Sequence, residues 1–513
     1  MIKPFIITLS FLFLFLTQSF FSVGQVAQRG RSQRSIEQQM LNKGAVSLGA
    51  AQYDFTSFID IPSNSTIDGN NSVFKGGVKL VKKRYSSPKL IQIINRRNII
   101  IKNVIFDGGF TNQFFSNASN ASELFNLISI EGSTNITFEN CTFRNFTSSW
   151  KKQNEQYFGI LGIRRSNTIK FIDCRLENFQ TEGIVMYETN NIVIKNLKVE
   201  TTVGWTPLHF WYCDGIVCDN ISIKTHRNGG SAITGAYSNA VFSNINIVGG
   251  KGIQFSNEKN ERPYDSKNIE FRNCNIKTSS FGIGRWNYDN RFSENVRISK
   301  CSISSYGTNP VYFWAIRFDN VKRGYIESSS LSSVQKNSSL ICLSNTDNIN
   351  VTNNRGTGYN IVYLNLNSSL NGLNIDNNTF TLQPSSNFNS GVEGTFIVSK
   401  DGPKVNTPLT LSNVSITNNQ VSDISNGILY LQNHLNNSLL RVKNVTVRGN
   451  TFKYPSTSNF QFNSIYFSNA QDIALEDNQI INSGFLQFDN TKNLKTNNNK
   501  IVNSRLKNLW KIK

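Results

Sequence analysis

One nine-residue pattern recurs through most of the chain and restricts its fold more than any other feature. The pattern is Asn-apolar-x-apolar-x-Asn-x-x-apolar, as in NIIIKNVIF from Asn98, NITFENCTF from Asn135 and NVTVRGNTF from Asn444. We find fifteen copies, which start at residues 98, 135, 168, 191, 215, 239, 268, 295, 323, 348, 372, 413, 444, 472 and 493. Such repetition is typical of a solenoid, in which each repeat contacts only its neighbours.

The apolar positions of the repeat indicate short β-strands. The second, fourth and ninth positions are apolar in nearly every copy, and β-branched or aromatic residues fill most of them. Alternation with a period of two is typical of strands, and these residue types favour strands. Another short strand follows between copies, as in GIVMY from Gly183 and GIGRW from Gly282. Stacking of such turns predicts a parallel β-helix of about 15 turns, with neighbouring strands about 4.8 Å apart.

The seventh position of the repeat predicts a buried column. It is apolar or cysteine in the first eight copies, including Cys141, Cys174, Cys274 and Cys301, Ser329 in the ninth and asparagine in the last six. Buried cysteines behave as small apolar residues, and stacked asparagine amides can hydrogen-bond from turn to turn. The chain has seven cysteines, an odd number, so they cannot all pair. The column is compatible with free buried thiols or with disulfides between stacked pairs such as Cys141 and Cys174.

The two ends of the chain differ from the repeat array. Residues 1–24 have a basic start at Lys3, an apolar run from Phe5 to Phe21 and small residues at the end, which is typical of a cleaved signal peptide. The apolar run is short for a membrane span. We therefore expect a secreted, periplasmic or cell-surface protein. Residues 35–42 predict a short helix that caps the first turn. The expected organisation is a signal peptide at 1–24, a cap and first turns at 25–97, the β-helix at 98–505 and a tail at 506–513.

The segment after the predicted helix carries a specific resemblance. Its sequence, GAVSLGAAQYDFTSFIDIPSNSTIDGNNSVFKGG, followed by repeated NI.I.N..F turns, resembles secreted proteins of the pectate-lyase-like superfamily. The resemblance extends from residue 35 to about residue 505 and implies an all-β, right-handed parallel β-helix. Members of this superfamily mostly act on polysaccharides, but the fold hosts lyases, epimerases, hydrolases and adhesins. The sequence contains neither the DPHD motif of mannuronan epimerases nor the GHG motif of polygalacturonases. No catalytic residue can therefore be transferred from a family motif.

The charge balance indicates the kind of partner. The formal net charge is +20, although only 17% of residues are charged, against about 25% in average domains. An excess of positive charge favours an acidic partner. The arginines do not form a stripe, and the expected export makes nucleic acid an unsuitable partner. We expect a monomer without a membrane span that binds an acidic polysaccharide.

Aromatic and histidine residues concentrate in one part of the array. Between the fourth and ninth copies lie four of the six tryptophans and two of the three histidines, namely Trp205, Trp211, Trp286, Trp314, His209 and His226. Aromatic faces and arginines together suit a cleft for acidic sugars. The alternative is that these aromatic residues pack inside the solenoid.

Alternation along the strands assigns a direction to each side chain in this region. With Ile184, Phe210, Phe255, Ile283 and Phe318 inward, the outward residues are Tyr187, His209, Trp211, Gln254, Ser256, Trp286 and Arg317. Arg285 then takes an inward position, so either the register shifts at Gly284 or Arg285 is a buried structural ion. We predict His209, Arg317, Tyr187 and Arg285 as catalytic residues, and Trp211, Trp286, Gln254 and Glu258 as substrate-binding residues.

Two mechanisms fit these residues. Eliminative cleavage or epimerisation of a uronate needs a cation for the carboxylate, a base for the C5 proton and an acid for the leaving oxygen. Arg317 or Arg285 would neutralise, His209 would abstract the proton and Tyr187 would donate. Hydrolysis instead needs two carboxylates, for which Glu188, Asp214 and Glu258 are available. The basic charge favours a lyase or epimerase over a hydrolase. A solenoid that binds or adheres to glycans without catalysis is the third class.

Long polar insertions accompany the aromatic region. They are residues 108–123, 147–157 and 256–267, and such loops on a regular scaffold either wall a cleft or are tolerated surface insertions. Glu258, Glu261 and Asp265 lie close together in the last of them. Carboxylate oxygens are calcium ligands, but a solvated loop has the same composition, so Ca²⁺ is only weakly indicated and the cofactor is unknown.

Overall fold

The computed structural model describes most of the repeat array. The described residues are 33–55, 58–76, 90–109, 126–146, 159–179, 182–200, 206–226, 230–256, 264–286, 291–305, 313–335, 338–366, 368–383, 394–401, 409–431, 440–456, 463–482, 484–503 and 510–512. The predicted signal peptide and most of the predicted loops 108–123 and 147–157 lie outside the described residues. No helix among the described residues is both long and apolar enough to cross a membrane.

One helix precedes the strands and confirms the predicted cap. Helix α1 (Gln33–Lys43) buries Ile36 and Met40 in the same core as the first strands. The helix ends at Lys43, and the next residue, Gly44, adopts a positive φ of 61° and donates its N–H to the Met40 carbonyl oxygen over 3.0 Å. A terminal helix of this kind covers the apolar end that a solenoid otherwise exposes.

The remaining elements are short strands. In chain order they are β1 (Ala45–Ser47), β2 (Gln52–Phe55), β3 (Ile59–Asp60), β4 (Ser65–Gly76), β5 (Ile91–Ile94), β6 (Arg97–Asp107), β7 (Ile128–Glu131), β8 (Thr134–Glu139), β9 (Thr142–Phe146), β10 (Gly159–Arg164), β11 (Asn167–Ile172), β12 (Arg175–Phe179), β13 (Glu182–Tyr187), β14 (Asn190–Lys195), β15 (Lys198–Glu200), β16 (Leu208–Lys224), β17 (Ser231–Gly249), β18 (Lys251–Gln254), β19 (Ser266–Arg272), β20 (Asn275–Thr278), β21 (Phe281–Arg285), β22 (Ser293–Ser299), β23 (Ser302–Ser305), β24 (Trp314–Asp319), β25 (Val321–Glu327), β26 (Ser330–Ser332), β27 (Ser339–Ser344), β28 (Asp347–Thr352), β29 (Arg355–Gly358), β30 (Asn360–Leu366), β31 (Leu370–Asp376), β32 (Thr379–Leu382), β33 (Thr395–Asp401), β34 (Leu409–Thr417), β35 (Gln420–Ser422), β36 (Leu429–Leu431), β37 (Leu440–Arg448), β38 (Thr451–Lys453), β39 (Asn463–Ser468), β40 (Ala470–Glu476), β41 (Gln479–Ile481), β42 (Phe485–Asp489), β43 (Lys492–Asn497), β44 (Lys500–Val502) and β45 (Trp510–Ile512).

These strands form three parallel stacks. The first stack holds the beginning of each nine-residue repeat: β1, β4, β6, β8, β11, β14, β16, β17, β19, β22, β25, β28, β31, β34, β37, β40 and β43. The second stack holds the end of each repeat: β2, β4, β6, β9, β12, β15, β16, β17, β20, β23, β26, β29, β32, β35, β38, β41 and β44. The third stack holds the strands between repeats: β3, β5, β7, β10, β13, β16, β17, β18, β21, β24, β27, β30, β33, β36, β39, β42 and β45. Strands β16 and β17 pass through all three stacks. Strand β45 lies inside the segment 506–513, which was predicted as a tail, and pairs with β42.

The asparagines at the first and sixth positions of the repeat have a backbone role. Every first position has a φ between 50° and 74°, and every sixth position a φ between 49° and 66°. Asparagine and glycine adopt this left-handed region more readily than other residues. The repeat therefore places a left-handed residue at each of two corners of the turn. Their side chains also bond between turns, as where Asn135 Nδ2 donates to Asn98 Oδ1 over 3.0 Å.

The seventh positions confirm the predicted column. The apolar and cysteine members in the N-terminal half are at most 2% exposed. In the C-terminal half Asn419 and Asn450 are 0% and 1% exposed, and Asn419 Nδ2 donates to Asn450 Oδ1 over 2.9 Å. The backbone N–H of Asn419 donates to the same oxygen over 2.8 Å. The buried amides thus satisfy one another along the solenoid, as buried polar groups require.

Asn450→Leu is expected to destabilise the protein by about 1 to 3 kcal/mol, because it removes Asn450 Oδ1, the buried acceptor of both the backbone N–H and the Nδ2 of Asn419. Urea unfolding monitored by circular dichroism measures the change. Thr446→Val, on the outward side of the same strand β37, is the control and is expected to change stability by less than about 0.5 kcal/mol. Equal effects of the two substitutions would contradict a stabilising amide ladder.

All seven cysteines are buried and free. Burial raises the pKa of the Cys213 and Cys342 thiols to about 12. Burial likewise raises the pKa of Cys141, whose thiol lies beside that of Cys174 on the next turn. Such thiols are almost entirely protonated near neutral pH and are poor nucleophiles.

Alkylation by iodoacetamide at about pH 8 is expected to be negligible in the folded protein, because all seven thiols are buried and the reaction needs an accessible thiolate. Unfolding without a reductant is expected to release seven reactive thiols per chain, which mass spectrometry counts. A count of five or three after unfolding would show that stacked pairs are oxidised.

Candidate active site

The predicted site residues lie on the third stack. The inward residues Ile184, Phe210, Phe255, Ile283 and Phe318 all belong to the main core. Strand register places Val185, His209, Thr234, Gln254, Gly284 and Arg317 side by side on successive turns, and we call this series the outer row. The predicted alternation between inward and outward residues is therefore confirmed in this part of the chain.

His209 is held by a carboxylate from the previous turn. Its Nδ1 lies 2.8 Å from Glu182 Oε1. Because an ionised carboxylate only accepts hydrogen bonds, the neutral imidazole in this pairing has its proton on Nδ1 and a lone pair on Nε2. The Trp211 indole stacks on the imidazole, with ring centroids 4.2 Å apart and planes 28° apart. Carboxylate and indole together fix the orientation of the imidazole.

The backbone around His209 departs from the regular solenoid. The pairing of β16 with β17 shifts register between Trp211 and Cys213, and Tyr212 adopts a φ of 55°. On the next turn Gly235 adopts a φ of 136°, and an added Cβ there would lie 1.7 Å from the Phe210 carbonyl oxygen. Bulges and left-handed residues of this kind concentrate at functional sites, where they aim particular side chains.

The outward side chains around His209 are covered instead of open to solvent. Val185, Trp211, Tyr212 and Ala236 form a small apolar cluster separate from the main core, against which Tyr187 and Tyr264 pack. His209 and Trp211 are each only 2% exposed. The Tyr264 ring lies 5.7 Å from the Tyr212 ring, so the end of the predicted loop 256–267 folds over this cluster. The expectation of an open groove at His209 is thus corrected, because aromatic side chains from three turns close it.

Arg317 belongs to a different cluster farther along the third stack. Its Nε and Nη2 donate to Asp319 Oδ2 over 3.0 and 2.7 Å, and its guanidinium lies 4.8 Å from the Trp314 ring and 5.5 Å from the Trp286 ring. Four steps of the outer row separate Arg317 from His209, or about 19 Å at about 4.8 Å per step. Arg317 and His209 therefore cannot act on the same sugar unit, which corrects the predicted pairing of base and cation.

The sequence left two alternatives for Arg285, a register shift at Gly284 or a buried structural ion, and the structure has the second. It is 1% exposed and points into the core, opposite Phe318. Its guanidinium donates to Ser293 Oγ over 2.8 Å and to the carbonyl oxygens of Asp319 and Arg291 over 3.0 and 2.6 Å. These bonds tie neighbouring loop and strand ends together, so Arg285 is a buried structural ion and the catalytic prediction for it is corrected.

The other residues predicted for the site are buried, half-buried, exposed or outside the described residues. Gln254 is 9% exposed. Its side chain accepts a hydrogen bond from Ser231 on the previous turn and donates one to Ser256, two residues farther along the chain. Tyr187 is half-buried, and the Arg164 guanidinium carbon on the previous turn lies 5.8 Å from its ring centre. His226 is exposed. Glu258, Glu261 and Trp205 lie outside the described residues.

Metal-binding residues do not gather in the described part of the chain, which holds no group of three or more histidine, cysteine, aspartate or glutamate side chains suited to a metal ion. Asp265, from the predicted calcium loop, forms an ion pair with Arg291 over 3.4 Å. A shallow groove of about 560 Å³ lies at another edge, between the first and second stacks, and Lys300, Ser328, Asn353 and Arg355 are among its lining residues.

Sequence reasoning missed three residues around His209, namely Glu182, Arg164 and Thr234. Glu182 comes just before Gly183, the first residue of the strand GIVMY. The alternation of inward and outward side chains was assigned from Ile184 onward, so it gave no direction for the Glu182 side chain. Register alignment of the strands between repeats would have placed Thr234 beside His209. Arg164 stands at the position of Tyr187 on the previous turn and could have been found in the same way.

Comparisons with known proteins agree with the architecture. A family model described as a right handed beta helix region matches residues 158–315. Together with the three parallel stacks, this match shows that the chain has a right-handed parallel β-helix fold.

Two solved structures are among those similar to the chain. The A-module of the Azotobacter vinelandii mannuronan C-5 epimerase AlgE6 is 12% identical, with a TM-score of 0.41, covering 74% of this chain and 98% of that one. The tailspike protein of Escherichia coli bacteriophage HK620, solved with a pentasaccharide, is 12% identical, with a TM-score of 0.40, covering 91% of this chain and 74% of that one. No curated protein sequence matches the chain.

Proposed function

We propose that this protein is an exported polysaccharide-active β-helix protein that acts as a lyase or epimerase on an acidic, uronate-containing glycan. Its proton-transfer centre is the pair of Glu182 and His209 on the third stack. The observation that carries the proposal is the 2.8 Å contact between His209 Nδ1 and Glu182 Oε1, which leaves Nε2 as a base. A carboxylate that orients an imidazole in this way is a recurring arrangement for general base catalysis.

The chemistry at this centre is abstraction of the proton at C5 of a uronate. His209 Nε2 takes the proton as the C5–H bond breaks. In a lyase the electron pair forms the C4–C5 double bond, the bond from C4 to the glycosidic oxygen breaks, and Tyr187 gives that oxygen a proton. In an epimerase the bond from C4 to the glycosidic oxygen stays intact, and Tyr187 gives C5 a proton on the face opposite His209. Tyr187 is suitably placed for this role. It lies one turn before Trp211 and in register with it, and Trp211 stacks on the His209 imidazole.

A cation beside this centre is needed to neutralise the uronate carboxylate. Arg164 takes the role predicted for Arg317, because it stands beside Tyr187 on the adjacent turn. Neutralisation lowers the energy of the carbanion that forms after the C5 proton leaves. The net charge of +20 favours approach of an acidic chain over the rest of the surface.

Access to the centre requires movement of its aromatic cover. His209 and Trp211 are each 2% exposed, so a glycan reaches Nε2 only after Tyr187, Tyr212 or Tyr264 shifts. Side chains that close over a reacting group exclude water from it, which strengthens its electrostatic interactions.

A panel of acidic polysaccharides tests the proposal. Near-ultraviolet absorbance together with new reducing ends reports a lyase, new reducing ends without absorbance report a hydrolase, and exchange of the C5 hydrogen with deuterated water without cleavage reports an epimerase. Absorbance or exchange supports the proposal. Reducing ends without absorbance would instead favour a hydrolase that uses Glu188 and Asp214, which lie on neighbouring turns and flank Cys213. Binding without either signal would leave a glycan-binding solenoid and overturn the catalytic proposal.

A further inference from the structure

Three buried polar atoms around His209 have no hydrogen-bond partner among the described residues. They are His209 Nε2, Trp211 Nε1 and Thr234 Oγ1. Each of these three residues is 2% exposed. Buried polar atoms in native proteins almost always have a protein or water partner, so three such atoms on neighbouring side chains point to a partner other than the described residues.

The three atoms belong to neighbouring side chains. Thr234 stands directly beside His209 on the next turn of the outer row. Trp211 stacks on the His209 imidazole at a centroid separation of 4.2 Å. The left-handed Gly235 and the register shift after Trp211 interrupt the regular pairing at this point. The local backbone thus departs from the regular solenoid where the unpartnered atoms lie.

The hydrogen-bonding capacities of the three atoms restrict their common partner. His209 Nε2 accepts, because Glu182 holds the proton on Nδ1. Trp211 Nε1 only donates, and Thr234 Oγ1 can do either. A partner must therefore both donate and accept, which a hydroxyl group does. A carboxylate has no proton to give to Nε2 and would be repelled by its lone pair.

We propose that these atoms form an enclosed site for a single hydroxyl group. A water molecule fills it in the free protein. When a glycan is bound, a sugar hydroxyl takes the place of this water at Trp211 Nε1 and Thr234 Oγ1, and the lone pair of His209 Nε2 is free to face the C5–H. Thr234 and Trp211 are then positioning residues that hold the sugar beside His209. The second half of the proposal rests on the proposed function, and it implies that the acid group of the glycan lies away from Nε2.

The water is tested in the free, full-length protein. A high-resolution crystal structure is expected to show one ordered water within hydrogen-bond distance of all three atoms. In protein labelled with ¹⁵N-histidine, the Nε2 resonance of His209 is expected to have the shift of an unprotonated nitrogen that accepts a hydrogen bond. The chain has three histidines, so one substitution assigns the signal. An empty space between the atoms, or three separate partners, would overturn the proposal.

Matched variants identify the role of Thr234. Thr234→Val removes the hydroxyl at constant shape and is expected to shift the Nε2 resonance, whereas Thr234→Ser is expected to restore it. Thr346→Val is the control, because Thr346 Oγ1 is also buried without a partner but lies between β27 and β28. An unchanged Nε2 resonance in Thr234→Val and in Trp211→Phe would contradict the site, whether or not the protein is an enzyme.

The sugar is tested with an oligosaccharide of the glycan that the protein acts on. Its addition is expected to change the Nε2 resonance saturably and to displace the ordered water in the crystal. Thr234→Val is expected to lower kcat about tenfold with little change in KM, and Thr346→Val is expected to leave both unchanged. Turnover with a kcat that Thr234→Val does not alter would overturn the positioning role while the proposed function stands. An ordered water in a protein that acts on no glycan would support the hydroxyl site while the proposed function fails.

Discussion

Glu182→Gln is expected to lower kcat by at least about 10²-fold on any acidic glycan that the protein turns over. The substitution keeps the size of the side chain and an oxygen that can accept from His209 Nδ1, but it removes the negative charge 2.8 Å from the imidazole. Without that charge the imidazolium formed by proton abstraction loses its stabilising partner. The expected loss is in kcat and not in KM, because the charge acts on the group that takes the proton.

Two further variants make this result specific. Glu200→Gln removes an exposed carboxylate that pairs with Lys198 over 3.1 Å on the second stack, and it is expected to leave turnover unchanged. Arg317→Ala is expected to raise KM and not to lower kcat, because its guanidinium lies about four turns, or about 19 Å, from His209. Initial rates over a range of glycan concentrations separate the two constants. If Glu182→Gln retains wild-type kcat, the pair of Glu182 and His209 is structural and the reaction occurs elsewhere.

Gly235→Ala is expected to be the most destabilising substitution in the neighbourhood of the site, at about 3 to 5 kcal/mol. A Cβ at this position would lie 1.7 Å from the Phe210 carbonyl oxygen and 2.5 Å from its carbon, and a φ of 136° is unfavourable for any side chain. Both contacts are with backbone, so no side-chain rotation relieves them. The pairing of β16 with β17 must open, which separates Thr234 from His209.

The control for this substitution is Gly49→Ala. An added Cβ at Gly49 meets nothing within 4 Å, and its φ lies outside the left-handed region, so the change is expected to be within about 0.5 kcal/mol. Urea unfolding followed by circular dichroism compares the two variants. Similar midpoints for Gly235→Ala and Gly49→Ala would show that the backbone at Gly235 is not held in the conformation described.

The fold was predictable because its determinants are local and repeated. Each copy of the nine-residue pattern carries its own alternation, which assigns residues such as Ile184 and Phe210 to the core. The seventh position predicted the buried ladder through Asn419 and Asn450 for the same reason. An error in one copy is outweighed by the agreement of the others, so the architecture follows from the sequence with little dependence on any single residue.

The site was less predictable because it depends on which outward residues are brought together across turns. Alternation placed His209 and Arg317 on one side of the solenoid, but the number of turns between them sets their distance. Glu182 was missed because it precedes the alternating part of its strand. Alternation put Arg285 on an inward position but left open a register shift at Gly284. The bonds of Arg285 to Ser293 and to backbone carbonyls explain how the core holds a charge.

The sequence by itself determined the solenoid, its parallel strands, the buried column and the part of the chain in which aromatic residues and histidine gather. Those properties follow from a short-range pattern that each repeat satisfies on its own. Only the tertiary structure decided that Glu182 contacts His209, that Thr234 stands beside His209 and that Tyr264 packs against the apolar cluster around Trp211. Such contacts join residues on different turns, and they depend on strand register, on the bulge after Trp211 and on the left-handed backbone at Gly235. A pattern that repeats every turn carries no information about a feature that occurs once.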